Sequence, residues 1–247
     1  MINIMDDKMK NALTKLQPKV TKTGRTRSEI SKANNKRGKQ GERFFVDKLS
    51  EVTGENFMRV PSSGAYVGSS NRKRLVELSK SQGIMTLGDI IPPDGLKYRL
   101  IAEVKNYSSL DTHNFLSEKN SKVMLTWLDE NLYDVESAIM IGQTNIISLL
   151  FIKLKQKGNY VVGNIKNLES KLQHKLPMPH LLFEHKVKNE LSKEYGDVFF
   201  ICDFGLWLAL NAEQVFMQMN DEELTAMVKT SVERNVAAIK NKHVYLE

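Results

Sequence analysis

The first clear helical period along the 247-residue chain follows Gly38, where Phe44, Phe45 and Leu49 line one face and Thr53-Gly54 stops the run. Phe57 to Val60 predicts a short strand, ended by Pro61-Ser62-Ser63-Gly64. A polar, basic stretch from Tyr66 to Gly83, with a short helix over Arg74 to Lys80, is expected as an insertion. Leu87 to Ile91 and Tyr98 to Lys105 are apolar runs separated by Pro92-Pro93-Asp94-Gly95, which predicts a β-hairpin. Lys119 to Leu132 has helical spacing, and Ser137 to Ile141 and Ile146 to Leu154 read as strands. Beyond Lys155 the pattern weakens: a Lys-rich connection leads to a strand over Val198 to Cys202, then to helices near Leu206 to Met217 and Asp221 to Lys240.

These elements define an α/β chain, a mixed β-sheet core flanked by helices. The expected organisation is a basic, mobile N-terminal arm (1–37), a core (38–165) and a helical C-terminal extension (166–247). Part of that extension would complete the core sheet or form a dimer interface.

Charge sharpens the reading of the arm. Of the net charge of +7, the surplus lies entirely between Met1 and Arg37, where ten basic residues stand against three acidic ones, and the remaining chain is balanced. Lys and Arg that neutralise phosphates release counterions, so a nucleic-acid partner is expected; the bland reading is a solvating tail. Cys202 is the only cysteine, which excludes an internal disulfide and thiolate-bound zinc. With neither a secretory signal nor an apolar span, the expected location is the cytoplasm, away from membranes.

The chemistry concentrates at Gly88-Asp89-Ile90 and Ile101-Ala102-Glu103-Val104-Lys105. Side chains alternate along a strand, so Glu103 and Lys105 share one face while Ala102 and Val104 share the other. In a hairpin closing around Leu96, Asp89 stands opposite Glu103, with Cβ atoms about 4.5–5.5 Å apart. Two carboxylates at that distance repel, and a divalent cation between them relieves the repulsion. Few oxygen ligands, with water and phosphate completing the shell, suit Mg2+, with Mn2+ able to substitute. Lys105 beside the ion would orient the attacking water and stabilise charge on a phosphorane, which points to phosphodiester hydrolysis.

These residues resemble the PD-(D/E)XK nuclease superfamily, and within it the archaeal-type Holliday junction resolvases. Arg37-Gly38-Lys39-Gln40-Gly41-Glu42-Arg43-Phe44 is similar to the opening helix with its glutamate, and Arg59-Val60-Pro61-Ser62-Ser63-Gly64-Ala65 to the serine- and glycine-containing segment; the Asp and Glu-x-Lys motifs follow. The resemblance covers Gly38 to Ile147 and implies a restriction-endonuclease-like fold. It also implies a metal held by Asp89, Glu103, the Val104 carbonyl and Glu42, with Lys105 as the catalytic lysine. DNA contacts are expected from Arg37, Lys39, Arg43, Arg59, Ser62, Ser63, Arg72, Lys73 and Arg74. Two departures stand out: Gly88 occupies the position where proline often sits, and the Tyr66 to Gly83 segment exceeds what a minimal resolvase needs.

The implied function is a Mg2+-dependent, structure-selective DNA endonuclease acting as a homodimer and suited to a phage or mobile element. One alternative is a sequence-specific restriction- or homing-type endonuclease; another is a non-catalytic DNA-binding protein on a nuclease-like fold. Against a merely structural hairpin stands the apolar setting of Leu100, Ile101, Ala102 and Val104, where ionised Glu and Lys are costly unless paired or functional. The five histidines show no metal-ligand spacing, although Glu184 and His185 could pair locally. Gln143, after the expected Ser137 to Ile141 strand, is a candidate polar residue near the site. Trp127 and Trp207 sit on apolar helical faces and read as core.

Overall fold

The structure, a computed structural model, describes residues 24–61, 83, 85–110, 122–188 and 194–219. Most of the expected insertion, including Arg72, Lys73 and Arg74, lies outside them, as do Ser62, Ser63 and the expected helix over Asp221 to Lys240.

Helix α1 spans Arg27–Thr53 and so begins eleven residues before Gly38. Thr26 sets that start. Its side chain accepts the Glu29 backbone N–H, and the Glu29 carboxylate accepts the Thr26 N–H at 2.8 Å, a reciprocal cap that satisfies two otherwise orphaned donors. Residues 27–37 are therefore helical. Gly54, at φ 72°, ends the helix in the left-handed conformation, and its N–H bonds the Ser50 carbonyl.

Strand β1 (Met58–Arg59) pairs antiparallel with β2 (Ile90–Ile91) in a small separate sheet. The main sheet contains β3 (Arg99–Tyr107), β4 (Ile146–Leu154), β5 (Gly158–Asn164), β6 (His180–Lys188) and β7 (Glu194–Asp203), in the spatial order β3-β4-β5-β7-β6. The β3–β4 pair is parallel and the other pairs are antiparallel. Helices α2 (Lys122–Met140), α3 (Ile165–Glu169) and α4 (Phe204–Val215) complete the described elements. The expected mixed sheet flanked by helices is present, and β6 and β7, from the C-terminal third, complete it.

Two expectations are corrected. No hairpin ladder joins Leu87–Ile91 to Tyr98–Lys105: β2 pairs with β1, and β3 takes β4 as its parallel ladder partner. The nearly uninterrupted burial of β4 explains this, because a strand covered on both faces belongs inside a sheet. Ser137 to Met140 form the last turn of α2, with Ile141 in the turn that follows, rather than a strand. No breaker interrupts the helical period before Gly142, which turns the chain at φ 80°. Gln143 consequently follows a helix, and its N–H bonds the Ala138 carbonyl at 2.9 Å.

The pleat divides the core. Ala102, Val104, Leu149, Phe151, Val161 and Phe200 meet Phe45 and Leu49 of α1 and Phe204, Trp207 and Leu208 of α4. On the opposite face Leu150, Ile152, Val162 and Phe199 meet Met124, Trp127 and Leu128 of α2. Each such large side chain, once buried, contributes about 1.5–3 kcal/mol. Trp127 and Trp207 are thus core residues. Buried Asn131 fixes the seating of α2 on β4, because it accepts the Ser148 hydroxyl and donates to the Leu149 carbonyl at 3.3 Å.

Candidate active site

The residues Asp89, Glu103, Lys105 and Glu42 gather around the edge of β3 that β4 leaves uncovered. Register decides which way each points. Glu103 is level with Leu150 and Lys105 with Ile152, so both face α2, while Ala102 and Val104 face α1. Asp89 lies along the edge itself. Its N–H donates to the Ala102 carbonyl at 2.7 Å, and its Oδ2 accepts the Val104 N–H at 2.8 Å. The juxtaposition of Asp89 with Glu103 expected from a hairpin is therefore reached by another route, two hydrogen bonds to the strand edge.

Gly88 makes that approach feasible. It sits at φ 70°, and a Cβ there would lie 2.9 Å from the Ala102 carbonyl oxygen. Only glycine combines that conformation with so close a backbone neighbour. The proline expected from the wider superfamily could not occupy this position, since its ring fixes φ near −65°.

Burial and mutual repulsion set the protonation of the carboxylates. Burial, then the neighbouring Asp89, push Glu103 up to about 8, against the pull of Lys105. For Lys105, burial alone would lower the pKa, but Glu103 and Glu130 more than offset it and hold the ammonium charged. Lys105 Nζ is 2.7 Å from Glu103 Oε1 and 2.6 Å from Glu130 Oε2. Glu42 is buried on α1, and burial raises its pKa against the opposing hydrogen bond from Arg59; Asp89 adds to the rise. Asp89 thus repels one carboxylate on each face of the strand.

Two residues of the site went unnoticed in the sequence. Glu130 holds Lys105, and Asp134 accepts the Gly88 N–H at 2.8 Å, securing the turn that delivers Asp89. Burial pushes Asp134 up to about 6, opposed by that hydrogen bond and assisted by Asp89 and Glu130. The signal was their spacing: carboxylates four apart on helix α2 lie on one face.

The expected DNA-contacting residues divide. Arg37, Lys39 and Arg43 are exposed on α1. Arg59 is half-buried, and its guanidinium bonds Glu42 Oε2 at 2.9 Å, so it balances that carboxylate. Away from the site, His185 Nε2 is 2.7 Å from Asp129 Oδ1 and joins β6 to α2.

Among the described residues no three His, Cys, Asp or Glu side chains stand together as a ready metal cage. The donor set does fit a hard cation that keeps much of its shell in water and phosphate: buried Asp89 and partly buried Glu103 repel one another, and an ion between them removes that cost.

A mixed sheet with an acidic pair and a lysine at the edge of its first long strand defines a nuclease-like α/β protein. The class is borne out by comparison: the family described as "Phage putative PDDEXK endonuclease" matches residues 33–217, about three quarters of the chain. The chain belongs to this phage family of the PD-(D/E)XK nuclease superfamily. Searches of curated proteins and of solved structures returned no match. No helix among the described residues is long and apolar enough to cross a membrane.

Proposed function

We propose that this chain is a Mg2+-dependent endonuclease that hydrolyses phosphodiester bonds in DNA. The observation that carries the reading is the meeting of buried Asp89 with the partly buried Glu103 and Lys105, whose Nζ lies 2.7 Å from Glu103. Asp89, Glu103 and the Val104 carbonyl would hold the metal, with Glu42 reaching it directly or through water; Mn2+ would substitute. An ion held by these residues would lower the pKa of the attacking water and polarise the phosphoryl oxygen. Lys105 orients that water and stabilises the negative charge that builds on phosphorus. The water oxygen forms the new bond to phosphorus as a sugar oxygen departs. Asp89 serves through its position, because its bond to the Val104 N–H fixes it against the strand that carries Glu103.

Selectivity for branched DNA is the finer part of the proposal, and it rests on the order of motifs from Arg37 to Lys105. Cutting both strands of a symmetric junction needs two sites, so the reading includes a homodimer. Leu206 and Leu210, one turn apart on α4 and exposed, support such an interface.

A cleavage panel tests the proposal: four-way junction, flap, linear duplex and single strand, each with Mg2+ and with Mn2+. Preferential cutting of the junction is expected. Equal cutting of junction and linear duplex would remove the branched-DNA assignment. No cleavage of any substrate, with wild type and Glu103→Ala binding DNA equally, would remove the enzymatic one.

A further inference from the structure

Helix α1 is longer than the body needs. It is pinned where it crosses β3: Asn106 Nδ2 donates to the Arg37 carbonyl at 2.8 Å, and a Cβ at buried Gly41 would lie only 2.8 Å from the Asn106 Cβ. Beyond that crossing toward the N-terminus, residues 31–37 are exposed on every side of the helix. At 1.5 Å per residue, the stretch from Arg27 to Arg37 extends ~15 Å past the crossing.

Charge along the exposed face of this helix, from its projecting part through the crossing, is ordered. Lys32, Lys36, Lys39 and Arg43 are exposed and follow one another at intervals of four, three and four residues. At about 100° per residue these fall within a stripe roughly 60° wide. The core-facing residues of the same helix, Phe45 and Leu49, lie on a different side. Between Arg27 and Gly41 the only acidic residue is Glu29, and its carboxylate is engaged in the N-terminal cap. Lys39 of the stripe acts electrostatically on Glu42, so the stripe passes beside the candidate active site.

We infer that the stripe Lys32, Lys36, Lys39 and Arg43 grips the phosphate backbone of double-stranded DNA on one side of the cut. The inference rests on the nuclease reading and extends it, since it names the form of nucleic acid engaged and the direction in which it leaves the site. From Lys32 to Glu42 the helix rises ~15 Å. That matches about four to five phosphates of one strand at 3.4 Å spacing. A flank of about five base pairs beyond the scissile phosphate is therefore needed for full affinity.

The test is the salt dependence of binding of a linear duplex, measured without divalent metal on the full chain. Wild type is compared with Lys32→Gln/Lys36→Gln and with Lys175→Gln/Lys186→Gln, which removes the same charge from exposed positions distant in sequence. Loss of two phosphate contacts lowers the slope of log Kobs against log salt by about 1.8. The structure predicts that drop for the α1 pair and almost none for the control pair. Equal drops in the two variants, an unchanged slope in the α1 variant, or no duplex binding by wild type would overturn the inference. Cleavage by wild type and its loss in Glu103→Gln are read separately, so the stripe can fail while the nuclease reading survives, and the reverse.

Discussion

Asp89 Oδ2 accepts the backbone N–H of Val104 at 2.8 Å, and this bond fixes the first carboxylate of the site against the strand that presents the second. It separates a structural role of Asp89 from a chemical one. Asn can still accept the Val104 N–H, whereas Ala leaves that buried donor unpaired at a cost of about 1–3 kcal/mol. Asp89→Asn is expected to melt close to wild type yet lose cleavage by at least about a hundredfold. Asp89→Ala should lose both. Thermal melting and single-turnover cleavage, run on the two variants side by side, check the separation; an active Asp89→Asn would show that the charge is dispensable.

Gly88 gives a purely steric prediction. A methyl group at φ 70° and 2.9 Å from the Ala102 carbonyl oxygen must displace the turn that carries Asp89. Gly88→Ala is expected to cost about 1–3 kcal/mol and to reduce activity beyond what stability explains. Denaturant unfolding together with cleavage at low temperature measures both; unchanged values for both would mean that the close approach is not maintained.

Glu130 predicts an effect carried through Lys105. It is half exposed and touches the ammonium at 2.6 Å, so Glu130→Gln should fold normally. With one of its two carboxylate partners neutralised, Lys105 is held less firmly, and the expected result is a fall in kcat of about tenfold with KM nearly unchanged. Glu130→Asp, which keeps the charge on a shorter stem, should recover part of the loss. A change confined to KM would place Glu130 in substrate binding instead.

The raised carboxylates predict how stability varies with pH. Glu103, at about 8, and Asp134, at about 6, bind protons in the folded chain that they release in the unfolded chain above the ordinary carboxylate range. The folded state therefore holds more protons between about pH 4 and 8, and stability falls as pH rises through that window. Without metal, Tm is expected to drop by on the order of 10 °C from pH 5 to pH 8, since one pKa unit corresponds to about 1.4 kcal/mol and 1 kcal/mol to about 2–4 °C in a chain of this size. Glu103→Gln should flatten the profile. Added Mg2+ should raise Tm more at pH 8 than at pH 5, where protons compete for the same oxygens.

How far the sequence could be read depended on whether a feature was local. The bounds of β4 were legible to the residue, because Ile146 to Leu154 is a short apolar run between turn signals. The common face of Glu103 and Lys105 followed from the two-residue repeat of any strand. The partner of β3 did not follow, since a parallel neighbour more than 40 residues away leaves no mark near Asp89. Strand β5 escaped notice because Gly158-Asn159 and Gly163-Asn164 give it turn chemistry at both ends. Strand β6 did so because one of its inward positions is His185, a polar residue buried against Asp129. The end of α2 was misread where Ser137 to Ile141 is apolar enough to suit either element. Glu42 was expected from resemblance alone, and its position near Asp89 became visible only once α1 had been laid across β3.

The central claim is that Glu103 and Lys105 form the centre of a metal-dependent DNA-cutting site. Its most direct test is the rate of nicking of supercoiled DNA in Mg2+ by wild type and by Glu103→Gln, with folding of both checked by thermal melting. The account predicts nicking by wild type that stops when the metal is chelated, and at least a hundredfold slower nicking by a fully folded Glu103→Gln. Nicking at the wild-type rate by Glu103→Gln, or wild-type nicking that persists under chelation, would contradict it.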